Sequence, residues 1–195
     1  IEFIYPLICT GEVPKNWPGR LPFKLKLVLV QLTPLLGKDK VYEKAKDYMT
    51  RENFENHIPK DVLFERLEKV ENWLEEIKNM LETEKDPKLI KTIKYKVPMF
   101  SFIDEVTDEI EEKLSDAQKQ AFKLFIEKSE DLEGYNNETV KDIMMKIREE
   151  IDIQARDFFQ AFYLVFLGKK RGPRLGPLME MIDKKWIVDR LNSVL

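Results

Sequence analysis

From Leu63 onward the apolar residues Leu63, Leu67, Val70, Leu74, Ile77 and Leu81 recur at spacings of 4, 3, 4, 3 and 4. That rhythm keeps one face apolar and predicts a long amphipathic helix over 61–84 with a coiled-coil-like seam. Pro59 and Asp61 start it, and Asp86-Pro87 stops it. A second pattern is apolar on nearly every side: from Phe158 to Leu167 only Gln160 interrupts the run. It predicts a buried helix over 153–167, capped by Asp152 and ended by Gly168 in a left-handed conformation.

Other stretches follow the same 3.6-residue period. Pro22 to Leu32 alternates like a strand, but its flanking Pro22 and Gly37 favour a helix that stops before Pro34. Val41, Ala45 and Met49 mark a short helix over 40–49. Ile93, Tyr95 and Val97 alternate with lysines, which predicts a short extended piece ended by Pro98. Phe102, Ile103, Val106, Ile110 and Leu114 predict an amphipathic helix with an acidic outer face. Ser115 and Gln118 form a capping-box signature ahead of Ala121, Phe122, Leu124 and Phe125. Another helix begins at Asn137-Glu138-Thr139 and carries Val140, Ile143, Met144 and Ile147. Two short helical runs end the chain and hold Lys184, Lys185 and Trp186. The expected class is all-α, a multi-helix bundle with at most one short extended segment. Residues 22–98 and 99–195 form two helical lobes, or one continuous domain.

Composition narrows the chemistry. The 195 residues are 43% hydrophobic and 35% charged, with 7 Gly and 10 Pro, a globular and helical balance. One cysteine, Cys9, and one histidine, His57, exclude an internal disulfide and a Cys/His zinc site. A reducing, cytoplasmic setting is the default, and no apolar run reaches the ~18 residues of a membrane span. No phosphate loop, nucleophile elbow or His-Glu-x-x-His is present. His57 has no companions for a triad, so no catalytic or metal residue is expected. Residues 1–20 carry Pro6, Pro14, Pro18, Gly11 and Gly19, and the chain starts with Ile. That predicts a lead-in, through Leu21, from an upstream domain.

Charge has a direction. Residues 166–195 hold seven Lys/Arg against three Asp/Glu, while the whole chain is −3. The basic corner is Lys169-Lys170-Arg171-Gly172-Pro173-Arg174-Leu175-Gly176-Pro177. Two readings are open. Cations just after a helix complement its partially negative carboxyl end. Cations on a Pro-stiffened turn also suit a phosphate-bearing partner.

The run Ala155-Arg156-Asp157-Phe158-Phe159 through Tyr163 to Leu167-Gly168-Lys169-Lys170-Arg171-Gly172-Pro173-Arg174-Leu175-Gly176 resembles the carboxyl-terminal part of class I lysyl-tRNA synthetases of the archaeal type. The resemblance is strong over 140–191 and faint elsewhere, and Phe166 replaces a usual Leu. It implies a helix-cage domain that grips the tRNA anticodon arm, monomeric and free of cofactor. ATP would be bound by a catalytic domain upstream, since neither of that domain's signature motifs occurs here. The RNA-binding residues it implies are Lys169, Lys170, Arg171, Arg174, Lys184, Lys185 and Trp186. Gly168, Gly172, Pro173 and Gly176 would shape the corner. Trp186 reads either as a base-stacking ring or as a plug beside Ile187 and Leu191, and Arg174 as an RNA contact or a salt bridge to the acidic body. Two alternatives stand beside this one: a protein–protein module using an exposed Leu63–Leu81 seam, and the equivalent domain of a glutamyl or cysteinyl synthetase.

Overall fold

The computed structural model describes residues 21–97 and 99–195. The lead-in of residues 1–20, with Cys9 and Trp17, and Pro98 as a strand end lie outside these described residues. Among the described residues there are nine helices and no strand. Burial of apolar side chains from both halves of the chain joins the helices other than α3 (residues 87–96) around one core cluster.

α1 (Phe23–Arg51) and α2 (Lys60–Thr83) pack on each other. The expected stop before Pro34 does not occur; Pro34 lies inside α1, and the break comes at Gly37, whose φ is 76°. An internal proline costs about 3 kcal/mol. Burial of Leu27, Leu29, Val30 and Leu32 outweighs that, at roughly 1.5–3 kcal/mol per side chain. Past the break, Val41, Ala45 and Met49 are buried as their spacing predicts. On α2, Leu63, Leu67, Val70 and Leu74 are buried, and Trp73 meets Phe23 edge-on at 5.1 Å. The seam is thus largely taken up inside the chain, and the module that needs it exposed has lost its surface.

α3 (Pro87–Lys96) replaces the extended piece expected at 93–97. Asp86 caps it by accepting from Lys88 N at 2.9 Å, and Pro87 occupies the first turn, where its missing N–H costs nothing. The inward side chains are Ile90, Ile93 and Val97, at helical spacing, all half-buried. Tyr95 belongs to the other face, so its alternation with Ile93 and Val97 was a false strand signal.

The amphipathic helix expected over 102–114 is reduced to the four-residue α4 (Asp108–Glu111). Two effects explain this. Acids at 104, 105, 108, 109, 111 and 112 repel one another at helical i,i+3 and i,i+4 spacing. The segment also finds partners elsewhere: Ile103 N donates to Phe166 O at 3.1 Å, and Phe100 N to Gln31 Oε1 at 2.6 Å.

α5 (Asp116–Lys128) begins with the capping box, formed in both directions by Ser115 and Gln118. α6 (Asn137–Glu150) is capped by Asn136. α7 (Ala155–Leu167) starts later than expected, after Gln154; Asp152 has φ 47° and shapes the preceding turn instead of capping. Its Phe162 stands among Phe122, Phe125 and Phe158 at ring distances of 5.0, 5.6 and 5.2 Å. α8 (Leu175–Met181) packs on α6, and α9 (Lys184–Asn192) packs on α5 and α7. Lys40–Asp183, Arg51–Glu180 and the Lys44 amine on Glu180 O tie α1 to the α8–α9 end.

Candidate nucleic-acid interface

The end of α7 fixes the basic corner. Gly168 takes the left-handed conformation, φ 62°, and its N–H closes the helix on Leu164 O at 2.9 Å. The chain then folds back onto α7 at Gly172. A Cβ there would fall 2.6 Å from Leu167 Cδ1 and 2.8 Å from the Tyr163 ring, so only hydrogen fits. Tyr163 completes the clasp, donating its hydroxyl to Pro173 O at 2.6 Å, and burial pushes its phenol above the ordinary range. Gly176 lies so close to Asn137 that a Cβ would sit 2.3 Å from its Oδ1. The corner is therefore packed against α7 at Gly172 and against Asn137 of α6 at Gly176, where an added methyl would force its neighbours to shift.

The cations of that corner point outward. Lys169, Lys170, Arg171 and Arg174 are exposed, and no side chain of the four makes an ion pair or hydrogen bond among the described residues. Arg174 thus forms no salt bridge with the described acidic body.

The cations of α9 behave differently. Lys184 donates to the carbonyls of Ser129, Glu130 and Leu132 at 2.7, 2.7 and 2.5 Å. An ammonium has three protons, and all are used here to close the end of α5. Lys184, placed among RNA-binding residues by resemblance, is a cap. Trp186 is half-buried, edge-on to Phe102 at 5.3 Å and tilted against Phe166 at 5.6 Å, with the Arg190 guanidinium 5.0 Å from its ring. The plug reading describes it. Arg190 donates to Ile103 O and Asp104 O at 2.8 and 2.7 Å, and burial lowers its pKa against the pull of Asp104 and Glu105. Lys185 is exposed.

A second basic element lies beside the corner and was missed in the sequence. Between Lys85 and Lys96 there are five lysines and one acid, Asp86. Among the described residues, the groove between α3 and the corner is lined by Lys91, Lys94, Tyr95, Met99, Arg171 and Pro173, with others, and by no acid. The lysine count was visible; the false extended reading hid that Lys91, Lys94 and Tyr95 share a helix face at i, i+3 and i+4.

The described residues contain no cluster of three or more His, Cys, Asp or Glu able to hold a metal, and no helix long and apolar enough to cross a membrane. His57 faces Thr50, with 3.2 Å between Nε2 and Oγ1.

An outward cationic corner on an all-helical scaffold agrees with what similarity finds. The anticodon binding domain family matches residues 40–195. Lysine–tRNA ligase of Methanocaldococcus jannaschii is 27% identical over 194 residues, covering 97% of this chain and 33% of that protein. The lysine–tRNA ligase of Pyrococcus horikoshii is 26% identical, covering 92% of this chain and 30% of its own length. That of Natronomonas pharaonis is 27% identical, with 96% and 30% covered. The similarity reaches well beyond 140–191, and the chain spans about a third of the length of these relatives. With a family match over most of its residues, the chain belongs to the anticodon-binding domain family.

Proposed function

We propose that the chain recognises the anticodon arm of lysine tRNA as the carboxyl-terminal part of a class I lysine–tRNA ligase of the archaeal type. ATP-dependent attachment of lysine is carried by a catalytic domain upstream, in a cytoplasmic, monomeric protein. The observation that carries this reading is the corner itself. Lys169, Lys170, Arg171 and Arg174 are exposed and have no ion-pair partner among the described residues, on a backbone clasped by Tyr163 and by the glycine contacts. Preorganised cations lose little freedom when they meet phosphate, which is what an RNA-binding turn requires. The lysine–tRNA ligases named above supply the amino-acid specificity of the proposal.

The test is titration of the chain with labelled lysine-tRNA anticodon stem-loop, and with a loop altered in its anticodon bases, at several salt concentrations. If all four corner cations meet phosphate, log affinity falls against log salt with a slope of roughly −3, about −0.7 per contact on single strands. The altered loop is expected to bind more weakly. Equal affinity for both loops would overturn anticodon recognition.

A further inference from the structure

Tyr95 is the anomaly of the described surface. It is 88% exposed, while the other large apolar side chains on the surface lie between 36% and 46%. It stands on α3, a ten-residue helix with no buried residue. Helices this short are marginal alone, and apolar contact normally holds them. Here Ile90 and Ile93 are only half-buried, and the contact with the core comes from Val97 and Met99 just beyond the helix. The sequence thus spends a surface aromatic and four lysines on a lightly held element facing the basic corner.

We propose that α3 and the corner are two jaws of a groove for one unpaired nucleotide of the bound RNA. Tyr95 stacks on the base, and Lys91, Lys94 and Arg171 take the flanking phosphates. The inference rests on the RNA reading above and adds a residue-level site to it. Three observations select this occupant. The groove, about 990 Å³ and open to solvent, has cations on both walls and no acid among the described residues that line it. None of Lys91, Lys94 and Arg171 has an ion-pair partner among the described residues, so their charge is available to a ligand. An exposed aromatic face between such cations is the arrangement that binds single-stranded nucleic acid, where each base has a free face. A duplex offers the phosphates but keeps its base faces covered. The groove should therefore discriminate by strandedness.

The experiment compares the wild-type chain with Tyr95→Ala, Tyr95→Phe and the double substitution Lys91→Ala/Lys94→Ala. Each is titrated with the anticodon stem-loop and with the same stem extended as a fully paired duplex. Tyr95→Ala is expected to weaken stem-loop binding about ten- to a hundredfold and leave duplex binding and melting temperature unchanged. Tyr95→Phe, which keeps the ring, should stay within about twofold of wild type. The double lysine change should weaken both RNAs and flatten the salt slope by about one to two. A stem-loop carrying a photoreactive 5-iodouridine in its loop should crosslink to Tyr95.

Unchanged stem-loop affinity in Tyr95→Ala, with wild-type binding intact, would overturn the groove and leave the anticodon reading standing. An equal loss on stem-loop and duplex would overturn stacking. Binding of a glutamate-rich peptide that Tyr95→Ala abolishes, with RNA binding unaffected, would assign the groove to a protein and overturn the proposal. Failure of the wild-type chain to bind any stem-loop would overturn both readings.

Discussion

The corner at 169–174 and the helix α9 look alike in composition, but their cations do opposite things. On α9, Lys184 is surrounded by three carbonyls and Arg190 by two carbonyls and an indole ring. At the corner, Lys169, Lys170, Arg171 and Arg174 meet no described partner. The difference lies in where the side chain's donors end. A cation whose donors end inside the fold, as all three protons of Lys184 do, stabilises the fold and offers little to a ligand. A cation at the same charge but held outward by a rigid backbone costs the fold little and attracts phosphate. Charge counting cannot separate the two, because the separation is made by helix ends and ring faces contributed from distant sequence.

The largest effect should come from breaking the internal half. Lys184→Met keeps much of the stem but leaves the carbonyls of Ser129, Glu130 and Leu132 without their charged donor. Charge-assisted hydrogen bonds of this kind contribute about 2 kcal/mol, so the melting temperature should fall by roughly 5 °C. RNA affinity, measured below the transition, should match wild type. A weakened stem-loop complex with an unchanged melting temperature would show that Lys184 leaves its cap to meet RNA.

Gly172→Ala attacks the clasp that keeps the outer cations in place. The new methyl overlaps Leu167 and Tyr163, and Tyr163 cannot swing aside without losing its bond to Pro173 O. Overpacking of this size costs about 1–2 kcal/mol. Both stability and RNA affinity should therefore drop, since the corner moves with the clasp. A stable variant with wild-type RNA affinity would mean that the corner's rigidity is irrelevant to binding.

Arg171→Ala/Arg174→Ala is the mirror image of the Lys184 change. Both guanidinium groups are exposed, so the melting temperature should move by no more than about 0.5 kcal/mol equivalent. Stem-loop affinity should fall, and the salt slope should flatten by about one to two as those phosphate contacts vanish. A large loss of stability instead would return the corner to a helix-capping role.

How much of this was legible depends on what each feature rests on. The Leu63–Leu74 stripe, the apolar α7 and the Ser115–Gln118 box are local, and the structure keeps them. Gly168 was readable for the same reason, since a helix end needs a left-handed residue. The errors arise where two periods fit one short string, or where distant groups decide. Ile93, Tyr95 and Val97 alternate, but Asp86 and Pro87 had already set a helix going. Residues 102–107 carried helical spacing, yet Phe166 O and Arg190 hold that stretch in another shape. The site followed the same rule. The corner's residues were contiguous and visible, whereas Lys91, Lys94 and Tyr95 joined it only through folding.

The smallest expected effect belongs to Lys185, which sits between the two classes. It neighbours the capping Lys184 but is exposed, with no ion pair or hydrogen bond from its side chain among the described residues. Arg171 faces the basic α3 across the groove, whose described lining does not include Lys185. Asp189, four residues on, shares its helix face and offsets its field. Lys185→Ala should therefore change stability by less than about 0.5 kcal/mol and leave stem-loop affinity and salt slope unaltered. The slope is the sharper measurement, because losing one phosphate contact changes it by about 0.7 to 0.9 even when affinity barely moves. A change of that size would extend the RNA footprint from the corner onto α9, and outward direction alone would then suffice to recruit a cation. No change would mean that a cation on this surface needs both an outward direction and cationic neighbours to hold phosphate.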